Sequence, residues 1–330
     1  MAVVAVFGAG AMGTALAIHL ARKGEQVTLW GSKYDARVLP DLTEQRRHPA
    51  LPEHLPESLR VLGPDELDDA AKGASLAVMG ANSGGARSLA QMVAPALTDA
   101  RAVVSLAKGL EPGSRKRMSE VYGEELGGRP VVAVGGPALA AEVAEGLPCA
   151  AVLASADDAA LSEGSDTLRS DAYIVHSTPD CAGLELCGTA KNVGAIAAGI
   201  LEGLGSARDQ SYKNARAAVF AQAVSEMADL VERLGGRRET ALGLAGLGDL
   251  LVTSIGGRNR QFGEMVGLGS EPLEAGRDME SRGLTVEGIE SARDVHELAA
   301  QEGLDLPIHD AVYRVVHEDA DPTEVLSAIR

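Results

Sequence analysis

The sequence predicts an α/β protein in which a doubly wound parallel sheet is followed by a mostly α-helical domain. Two observations predict the sheet: short, β-branched apolar runs alternate with helical stretches, and a glycine-rich turn follows the first run. A third observation predicts how the chain divides, because strand signals almost disappear after about residue 180 and long helical patterns replace them. We therefore expect a first domain over residues 1–180 and a second over residues 181–330.

Six apolar runs carry the strand signal. We expect buried parallel strands at Val3–Phe7, Gln26–Trp30, Leu76–Met79, 102–106, 131–134 and 150–154. Helical character over residues 14–23, ending at Gly24, joins the first two strands. Residues 48–62 contain several prolines and neither periodicity, so we expect a loop there.

Composition limits the classes of partner. The formal net charge of −17 repels nucleic acid and anionic lipid, so we expect neither as a partner, and a bound anion requires a local cluster of cations. Three cysteines without C-x-x-C spacing fit neither a disulfide framework nor a zinc site, and we expect no metal. The apolar residues 2–20 are interrupted by glycines and lack a basic start, which argues against a signal peptide or membrane span. We expect a cytoplasmic location.

A glycine fingerprint follows the first predicted strand. The residues that match G-x-G-x-x-G are Gly8, Ala9, Gly10, Ala11, Met12 and Gly13. The first glycine permits a tight turn, the second lets a pyrophosphate approach the backbone, and the third lets the helix pack closely on the strand. The helix then offers its N–H groups and positive dipole end to the phosphates. In this context the pattern predicts a Rossmann-type site for NAD or NADP.

The choice between the two cofactors depends on the end of the second strand. NAD-selective sites usually place Asp or Glu there to bind the ribose 2′-hydroxyl, but here Trp30 is followed closely by Ser32 and Lys33. The missing acid, together with Lys33 and Arg37, favours NADP or tolerance of both cofactors. Asp35 lies a few residues too far along the chain, although a loop could bring it back.

Lys191 is the candidate catalytic base, because it is one of only seven lysines and lies in a predicted helix with small neighbours. A hydride leaves a secondary alcohol only if the hydroxyl proton also departs. A free lysine titrates near ~10.4, and burial or a neighbouring cation such as Lys108 would lower this pKa. Asn192 and Asp249 could orient the amine. In the reverse direction the same lysine protonates the ketone oxygen.

The helix around Lys191 contains an unusual number of glycines. They are Gly183, Gly188, Gly194, Gly199 and Gly203. Each glycine in a helix costs about 1 kcal/mol relative to alanine, so we expect a close approach of another backbone or of a ligand to compensate. Tight helix packing with an incidental lysine is the alternative.

Other polar groups follow predicted strands or glycine pairs. Lys108 comes directly after a strand, and Gly136 ends the next one, where ligands of open α/β sheets bind. Farther along, Gly256 and Gly257 precede Arg258, a pattern that can form a backbone nest and an arginine fork for a phosphate. A solvated loop is the alternative explanation for both sets.

With these motifs assembled, the chain resembles the NAD(P)-dependent glycerol-3-phosphate dehydrogenases almost from end to end. The matching segments are 8–13, 105–111, 185–192, 243–250, 258–263 and 286–288. The resemblance implies reversible conversion of sn-glycerol 3-phosphate to dihydroxyacetone phosphate, at the branch into glycerophospholipid synthesis. A small phosphorylated substrate is therefore the expected partner.

The resemblance also implies residue roles. Lys191 would give and take the proton within a network that includes Lys108, Asn192 and Asp249. The residues expected to bind substrate are Lys108, Gly136, Ala138, Lys191, Asp249, Thr253, Arg258 and Asn259. The residues expected to bind the dinucleotide are Gly8, Gly10, Ala11, Met12, Gly13, Ser32, Lys33, Lys108, Ala140, Arg258 and Glu287.

The sequence departs from the family pattern in four places, and these leave alternatives open. Residues 80–84 and 136–139 differ from the usual motifs, residues 206–213 look like an insertion after the catalytic helix, and the loop before Arg258 is short by about two residues. The alternatives are a dehydrogenase of another polyol or sugar phosphate, a β-hydroxyacid or ketopantoate-type reductase, and, least favoured, a non-catalytic dinucleotide sensor. A homodimer stays open as the assembly.

Overall fold

The computed structural model describes residues 2–330, which form eight strands and sixteen α-helices. The strands are β1 (Val3–Phe7), β2 (Gln26–Trp30), β3 (Arg60–Leu62), β4 (Leu76–Met79), β5 (Ala102–Ser105), β6 (Val131–Gly135), β7 (Cys149–Ala154) and β8 (Tyr173–Thr178). The helices among the strands are α1 (Ala11–Lys23), α2 (Leu39–Glu44), α3 (Leu67–Ala71), α4 (Ala86–Val93), α5 (Met118–Glu125), α6 (Ala140–Glu145) and α7 (Asp158–Leu168).

The remainder of the described chain is helical. Its helices are α8 (Cys181–Arg208), α9 (Lys213–Arg233), α10 (Arg238–Leu242), α11 (Asp249–Gly256), α12 (Arg258–Gly267), α13 (Pro272–Ser281), α14 (Glu287–Glu302), α15 (Pro307–His317) and α16 (Glu324–Ser327). Two compact units result: the first ends at Cys181, and the second is Ala182–Arg330. No helix within residues 2–330 is both long enough and apolar enough to cross a bilayer.

The strands of the first unit form one sheet in the order β3-β2-β1-β4-β5-β6-β7-β8. From β3 to β6 all neighbours are parallel, which is the doubly wound Rossmann arrangement expected from the sequence. β7 and β8 extend this sheet as a parallel pair that runs antiparallel to β6. The predicted fold class is confirmed, but the expectation that residues 150–154 continue the sheet as a parallel strand is wrong, because β7 runs antiparallel to β6.

Both faces of the central strands are covered, as their buried apolar residues require. In β1, Val4 and Val6 belong to one buried cluster, whereas Ala5 and Phe7 belong to the cluster on the opposite face. Phe7 meets Trp30 edge to face, with ring centroids 6.0 Å apart. Small aliphatic side chains fill most of both clusters, consistent with the few aromatic residues in the sequence.

Two strands were missed. The expected loop over residues 48–62 is wrong at its end, because Arg60–Leu62 pairs with β2 as a three-residue edge strand. So short a strand, with proline on both sides, has no readable alternation. β8 was also unassigned: Ile174 and His176 are exposed while Tyr173 and Val175 are buried, so this strand shows a half-buried alternation.

The second unit is organised around α8, a helix of 28 residues that is buried along most of its length. The segment 206–213, which looks like an insertion, extends α8 to Arg208 and then forms the connection to α9. Asp209 and Tyr212 in this connection have positive φ angles of 52° and 41°. The insertion therefore adds a final turn to α8 and a strained reversal of the chain.

The glycines of α8 pack against the backbone of α12. A Cβ built at Gly199 would lie 2.0 Å from the carbonyl oxygen of Arg260, and one built at Gly203 would lie 2.2 Å from that of Glu264. Conversely, a Cβ at Gly263 would lie 2.2 Å from the carbonyl oxygen of Ile196. The expectation that another backbone approaches this helix closely is thus confirmed at the α8–α12 crossing.

Candidate active site

The glycine turn connects β1 to α1 at the point where the strand order reverses. Gly8 has φ +105°, and a Cβ there would lie 3.1 Å from the carbonyl carbon of Gly80, which follows β4. A Cβ at Gly13 would lie 2.5 Å from the carbonyl oxygen of Gly8, so only glycine allows this helix-to-strand contact. At Gly10 the nearest atom would be 3.9 Å away, and no side chain caps α1 there. The backbone between β1 and α1 is therefore open to a pyrophosphate.

After β2 the chain turns back and places Asp35 beside Ser32. A 3-10 turn over Lys33–Asp35 returns the Asp35 carboxylate, whose Oδ2 accepts hydrogen bonds from the amide and hydroxyl of Ser32, both at 2.8 Å. Ser32 is buried, whereas Lys33 is exposed with its Nζ 5.2 Å from the ring centre of Tyr34. Of the residues expected at the ribose, Lys33 and Arg37 thus present exposed side chains, whereas Ser32 does not.

Lys108 lies where β5 ends, next to the end of β6. Its Nζ donates a hydrogen bond to the carbonyl oxygen of Gly136 at 3.1 Å. Gly136 has φ +91°, and a Cβ there would lie 3.0 Å from the carbonyl oxygen of Ala150, so its conformation and its surroundings both require glycine. Ala138 follows in the half-buried connection to α6, and Ala140 is the first residue of that helix. The structure thus groups Lys108, Gly136, Ala138 and Ala140 at one edge of the sheet.

An arginine fork anchors the segment that carries Lys108. Arg87 Nε and Nη2 donate to the two carboxylate oxygens of Glu111 at 2.6 and 2.9 Å, and the same guanidinium bonds Glu124 and Glu125. The hydrogen bonds from Arg87 lower the pKa of Glu111 to about 2. Glu111 is only three residues from Lys108, so this bidentate pair ties the lysine's loop to α4 and α5.

In the second unit the predicted catalytic lysine is buried and held by two side chains. Lys191 is 6% exposed, and its Nζ donates to Asp249 Oδ1 at 2.9 Å and to Thr253 Oγ1 at 3.0 Å. Thr253 Oγ1 in turn donates to the carbonyl oxygen of Asp249 at 2.7 Å, one turn earlier in α11. The Asp249 charge stabilises the ammonium form of Lys191, which is the form that can give a proton to an oxygen atom.

A π-helical turn precedes α11 and sets which face of that helix meets Lys191. It spans Leu244–Gly248 and runs directly into Asp249. A Cβ at Gly246 would lie 2.1 Å from the carbonyl oxygen of Ala241, so glycine permits the close return of the chain to α10. π-type turns are often found at functional sites because the extra residue rotates the side chains that follow.

Two asparagines connect the catalytic helix to the start of α14. Asn259 Nδ2 donates to Asn192 Oδ1 at 2.8 Å, and Asn259 Oδ1 accepts from the Gly288 amide at 2.9 Å. Both side chains are buried. Glu287, expected near the nucleotide, is the first residue of α14 and directly precedes Gly288. Asn259 therefore links α8, α12 and α14 in addition to any contact with substrate.

The predicted phosphate nest is a helix N-terminus instead. Gly257 has φ −84° and ψ 161°, an extended conformation, and is the only residue between α11 and α12. A nest requires successive residues of opposite hand, which the extended Gly257 does not provide. Arg258 is exposed at the first position of α12 and forms no ion pair with any described residue, whereas Arg260 pairs with Glu202 and Glu264. The structure thus places an exposed cation, Arg258, at the positive end of the α12 dipole.

Two side chains near the glycine turn were not given a role by sequence reasoning. Asp35 was judged too distant, although Ser32 and Asp35 have the S-x-x-D spacing of a capping box, which predicts that the chain turns back there. His48 lay in the expected loop, yet it is buried and hydrogen-bonded to the backbone of Ala9. No sequence signal marks His48, because its partner is distant along the chain.

These features define a class of enzyme. The first unit has the strand order and the open glycine turn of a dinucleotide-binding domain. The second presents a buried lysine, paired with a carboxylate, that can exchange a proton with an alcohol or a ketone. A chain with both is an NAD(P)-dependent oxidoreductase that acts on a CH–OH group.

Comparison with known proteins gives the family. Residues 3–161 match the model of the NAD-dependent glycerol-3-phosphate dehydrogenase N-terminus, and residues 180–327 match that of the C-terminus. The chain is 33% identical to the NADP(+)-dependent glycerol-3-phosphate dehydrogenase of Archaeoglobus fulgidus, over 98% of each chain. It is 37% identical to the glycerol-3-phosphate dehydrogenase [NAD(P)+] of Desulfitobacterium hafniense, over all of this chain and 91% of the relative.

A solved structure agrees. The crystal structure of glycerol-3-phosphate dehydrogenase from Coxiella burnetii superposes with a TM-score of 0.88 at 35% identity, covering 98% of this chain and 97% of the other. The chain belongs to the NAD-dependent glycerol-3-phosphate dehydrogenase family. The resemblance drawn from its motifs is thereby confirmed.

Proposed function

We propose that the chain catalyses the reversible reduction of dihydroxyacetone phosphate to sn-glycerol 3-phosphate with NADH or NADPH. The observation that carries the proposal is the buried Lys191, fixed by Asp249 and Thr253 in the unit that the family model matches as the C-terminus. Its ammonium is a positioned proton source for a ketone oxygen.

The cofactor is NAD or NADP, and the first unit fits it. When bound, the nicotinamide supplies the hydride to the substrate carbonyl carbon, or accepts it in the reverse direction. We assign the pyrophosphate to Gly8, Gly10 and Gly13, with Ala11 and Met12 in the first turn of α1, because this backbone is open and uncapped. Further predicted contacts are Ser32, Lys33, Lys108, Ala140, Arg258 and Glu287.

Lys191 moves the proton that balances the hydride. During reduction the carbonyl double bond opens, its carbon gains the hydride, and its oxygen takes a proton from Lys191 Nζ. Asp249 keeps the lysine charged before the transfer, and Thr253 fixes the direction of Nζ. In the oxidation of the alcohol the neutral amine takes the hydroxyl proton back. Asn192, next to Lys191 in α8, is a positioning residue through its bond to Asn259.

The substrate phosphate is assigned to the start of α12. Arg258 provides an exposed cation there, and the positive end of the helix dipole adds to it. Asn259 follows it, with its amide already oriented by Asn192 and Gly288. In the first unit we assign substrate contacts to Lys108, Gly136 and Ala138. Arg258 thus supplies a local positive charge for an anionic substrate in a protein whose net charge is strongly negative.

Turnover tests the proposal. Oxidation of NADH and of NADPH is followed by absorbance with dihydroxyacetone phosphate as substrate. We expect Lys191→Ala to lower kcat by roughly a hundredfold to ten-thousandfold with cofactor affinity unchanged. The matched control is Lys72→Ala, which changes an exposed lysine outside the proposed site. If the wild-type protein binds the dinucleotide but turns over only another polyol or sugar phosphate, that compound is the substrate and the assignment to dihydroxyacetone phosphate is wrong.

Assembly and location are predictions that are also open to measurement. We propose a homodimer, because Leu247 in the π-helical turn and Leu251 and Ile255 in α11 expose an apolar line, with 38%, 47% and 71% of their surfaces accessible. Light scattering on the eluted protein gives the mass directly, and a monomer would refute this proposal. A cytoplasmic location is proposed from the odd number of cysteines, which suits a reducing compartment.

A further inference from the structure

The carboxylate of Asp35, which follows β2, is hydrogen-bonded to the glycine turn. Asp35 is half-buried, and its Oδ1 accepts a hydrogen bond from the amide of Ala9 at 3.1 Å. Its Oδ2 accepts from the Ser32 amide and hydroxyl, both at 2.8 Å. Three donors of the protein thus hold this carboxylate. Ala9, the residue between the first two glycines of the fingerprint, is completely buried.

The other side of Ala9 is held as well. Its carbonyl oxygen accepts a hydrogen bond from Thr14 Oγ1 at 3.3 Å and bonds to the buried imidazole of His48. His48 Nδ1 accepts from the Ala50 amide at 3.0 Å, so the ring proton is on Nε2, the nitrogen that serves Ala9. Burial lowers the pKa of His48, which keeps the ring neutral and this tautomer in place at neutral pH.

These contacts fix the orientation of the peptide groups that meet a phosphate. In a trans peptide the C=O and the following N–H point in opposite directions. Because the Ala9 carbonyl points toward Thr14 and His48, the Gly10 amide points away from them. Asp35 fixes the preceding peptide in the same way through the Ala9 amide. A turn with two flexible glycines is thereby held in one conformation before any ligand arrives.

We propose that Asp35 and His48 are positioning residues of the phosphate-binding turn, and that Asp35 does not select between NADH and NADPH. The inference rests on the proposed function, which places the pyrophosphate at this turn. Since the pyrophosphate is common to both cofactors, loosening the turn weakens both equally. The 2′ position of the ribose is left to Lys33, an exposed cation of the same segment.

The experiment compares the Kd of NADH with that of NADPH, measured by nicotinamide fluorescence. Asp35→Asn should raise both Kd values by about tenfold, because one charged acceptor of the turn is lost, and their ratio should stay within about twofold of wild type. Lys33→Ala should change the ratio by weakening NADPH alone. Asp65→Asn is the control, since this exposed carboxylate forms no side-chain bond with any described residue.

Variants of His48 test the proposal independently of Asp35. His48→Ala should also raise both Kd values, whereas His48→Gln should restore them, because its amide can donate to the Ala9 carbonyl in the same place. In the Asp35 and His48 variants kcat at saturating cofactor should change far less than the two Kd values, since these side chains do not take part in the proton transfer. A loss of stability alone, with both Kd values unchanged, would assign these residues to folding and overturn the inference.

The outcome is decisive in either direction. If Asp35 binds the ribose, Asp35→Asn will weaken NADH and strengthen NADPH, and the ratio will move by about tenfold or more. Failure of the proposed function has a different signature, because wild-type protein would then show no turnover of dihydroxyacetone phosphate at all. Failure of this inference leaves wild-type turnover intact and appears only in the variants.

Discussion

Replacing Gly199 with alanine tests whether the contact between α8 and α12 maintains both the fold and the phosphate site. The new Cβ would lie 2.0 Å from the carbonyl oxygen of Arg260 and 2.9 Å from its carbon. An ordinary contact begins near 3.4 Å, so the backbones must separate by about 1.4 Å, which is 3.4 minus 2.0. No side chain can rotate to relieve this overlap, because the opposing atoms belong to the backbone of α12.

The expected loss of stability follows from two opposing effects. Overpacking costs about 1–3 kcal/mol, and a backbone-to-backbone overlap belongs at the upper end of that range. Alanine recovers about 1 kcal/mol of helix propensity, which leaves a net loss of about 2 kcal/mol in the free energy of unfolding. For a unit of this size each kcal/mol corresponds to about 2–4 °C, so the unfolding temperature should fall by about 4–8 °C.

The variant should also bind substrate less well, because Arg258 and Asn259 begin the helix that is displaced. Thermal unfolding and steady-state kinetics are measured together, and we expect a higher KM for dihydroxyacetone phosphate. Gly123→Ala is the matched control: Gly123 lies within α5, and a Cβ there meets nothing within 4 Å. A Gly199→Ala protein as stable as wild type, with normal KM, would refute the packing argument.

Three further predictions use the same assays. Arg258→Ala should raise the KM for dihydroxyacetone phosphate by roughly tenfold to a hundredfold, as expected for a lost charged hydrogen bond; an unchanged KM removes it from the phosphate site. Asp249→Asn should lower kcat by about a hundredfold because Lys191 loses its orientation, and a normal kcat would contradict this. Glu111→Gln should destabilise the protein at neutral pH; this difference from wild type should shrink as the pH falls from 4.5 toward about 2, where Glu111 itself becomes protonated. Urea unfolding at several pH values measures this stability difference, and a difference that does not change with pH would contradict the ion pair between Arg87 and Glu111.

The sign of the last effect follows from linkage. Arg87 lowers the pKa of Glu111 in the folded protein from 4.5 to about 2. A lowered pKa means that the ionised carboxylate stabilises the folded state at every pH above the unfolded value. The contribution is therefore complete above 4.5 and is lost as the pH falls through the folded value. Glutamine cannot ionise, so the variant lacks this contribution at all pH values.

Local rules predicted the parts of the fold that local chemistry determines. β1, β2 and β4 have the residues expected, because buried parallel strands appear as uninterrupted apolar runs between glycine turns. β3 was missed because a three-residue edge strand is fixed by pairing with β2 and not by its own pattern. The same is true of the reversal at β7, whose direction depends on a partner distant in the chain.

The candidate site divides in the same way. Lys191 could be singled out because lysine is rare here and glycines surround it, which is a property of one segment. Its contact with Asp249 joins residues 58 positions apart, and the π-helical turn before α11 shifts the register that a regular helix would predict. Family resemblance supplied that pairing; helical periodicity could not. Asp35 was within reach of local reasoning, because Ser32 and Asp35 already have capping-box spacing.

The negative charge of the chain sharpens the assignment of Arg258. In a protein with net charge −17 many cations near the surface pair with a carboxylate, and Arg260 is an example, held by Glu202 and Glu264. A phosphate could recruit Arg260 only by displacing those acids, which also repel the phosphate. Arg258 forms no ion pair among residues 2–330, so an anion that binds there displaces only water. Of two arginines in one short motif, the surrounding acids thus favour the first as the residue of the proposed phosphate site.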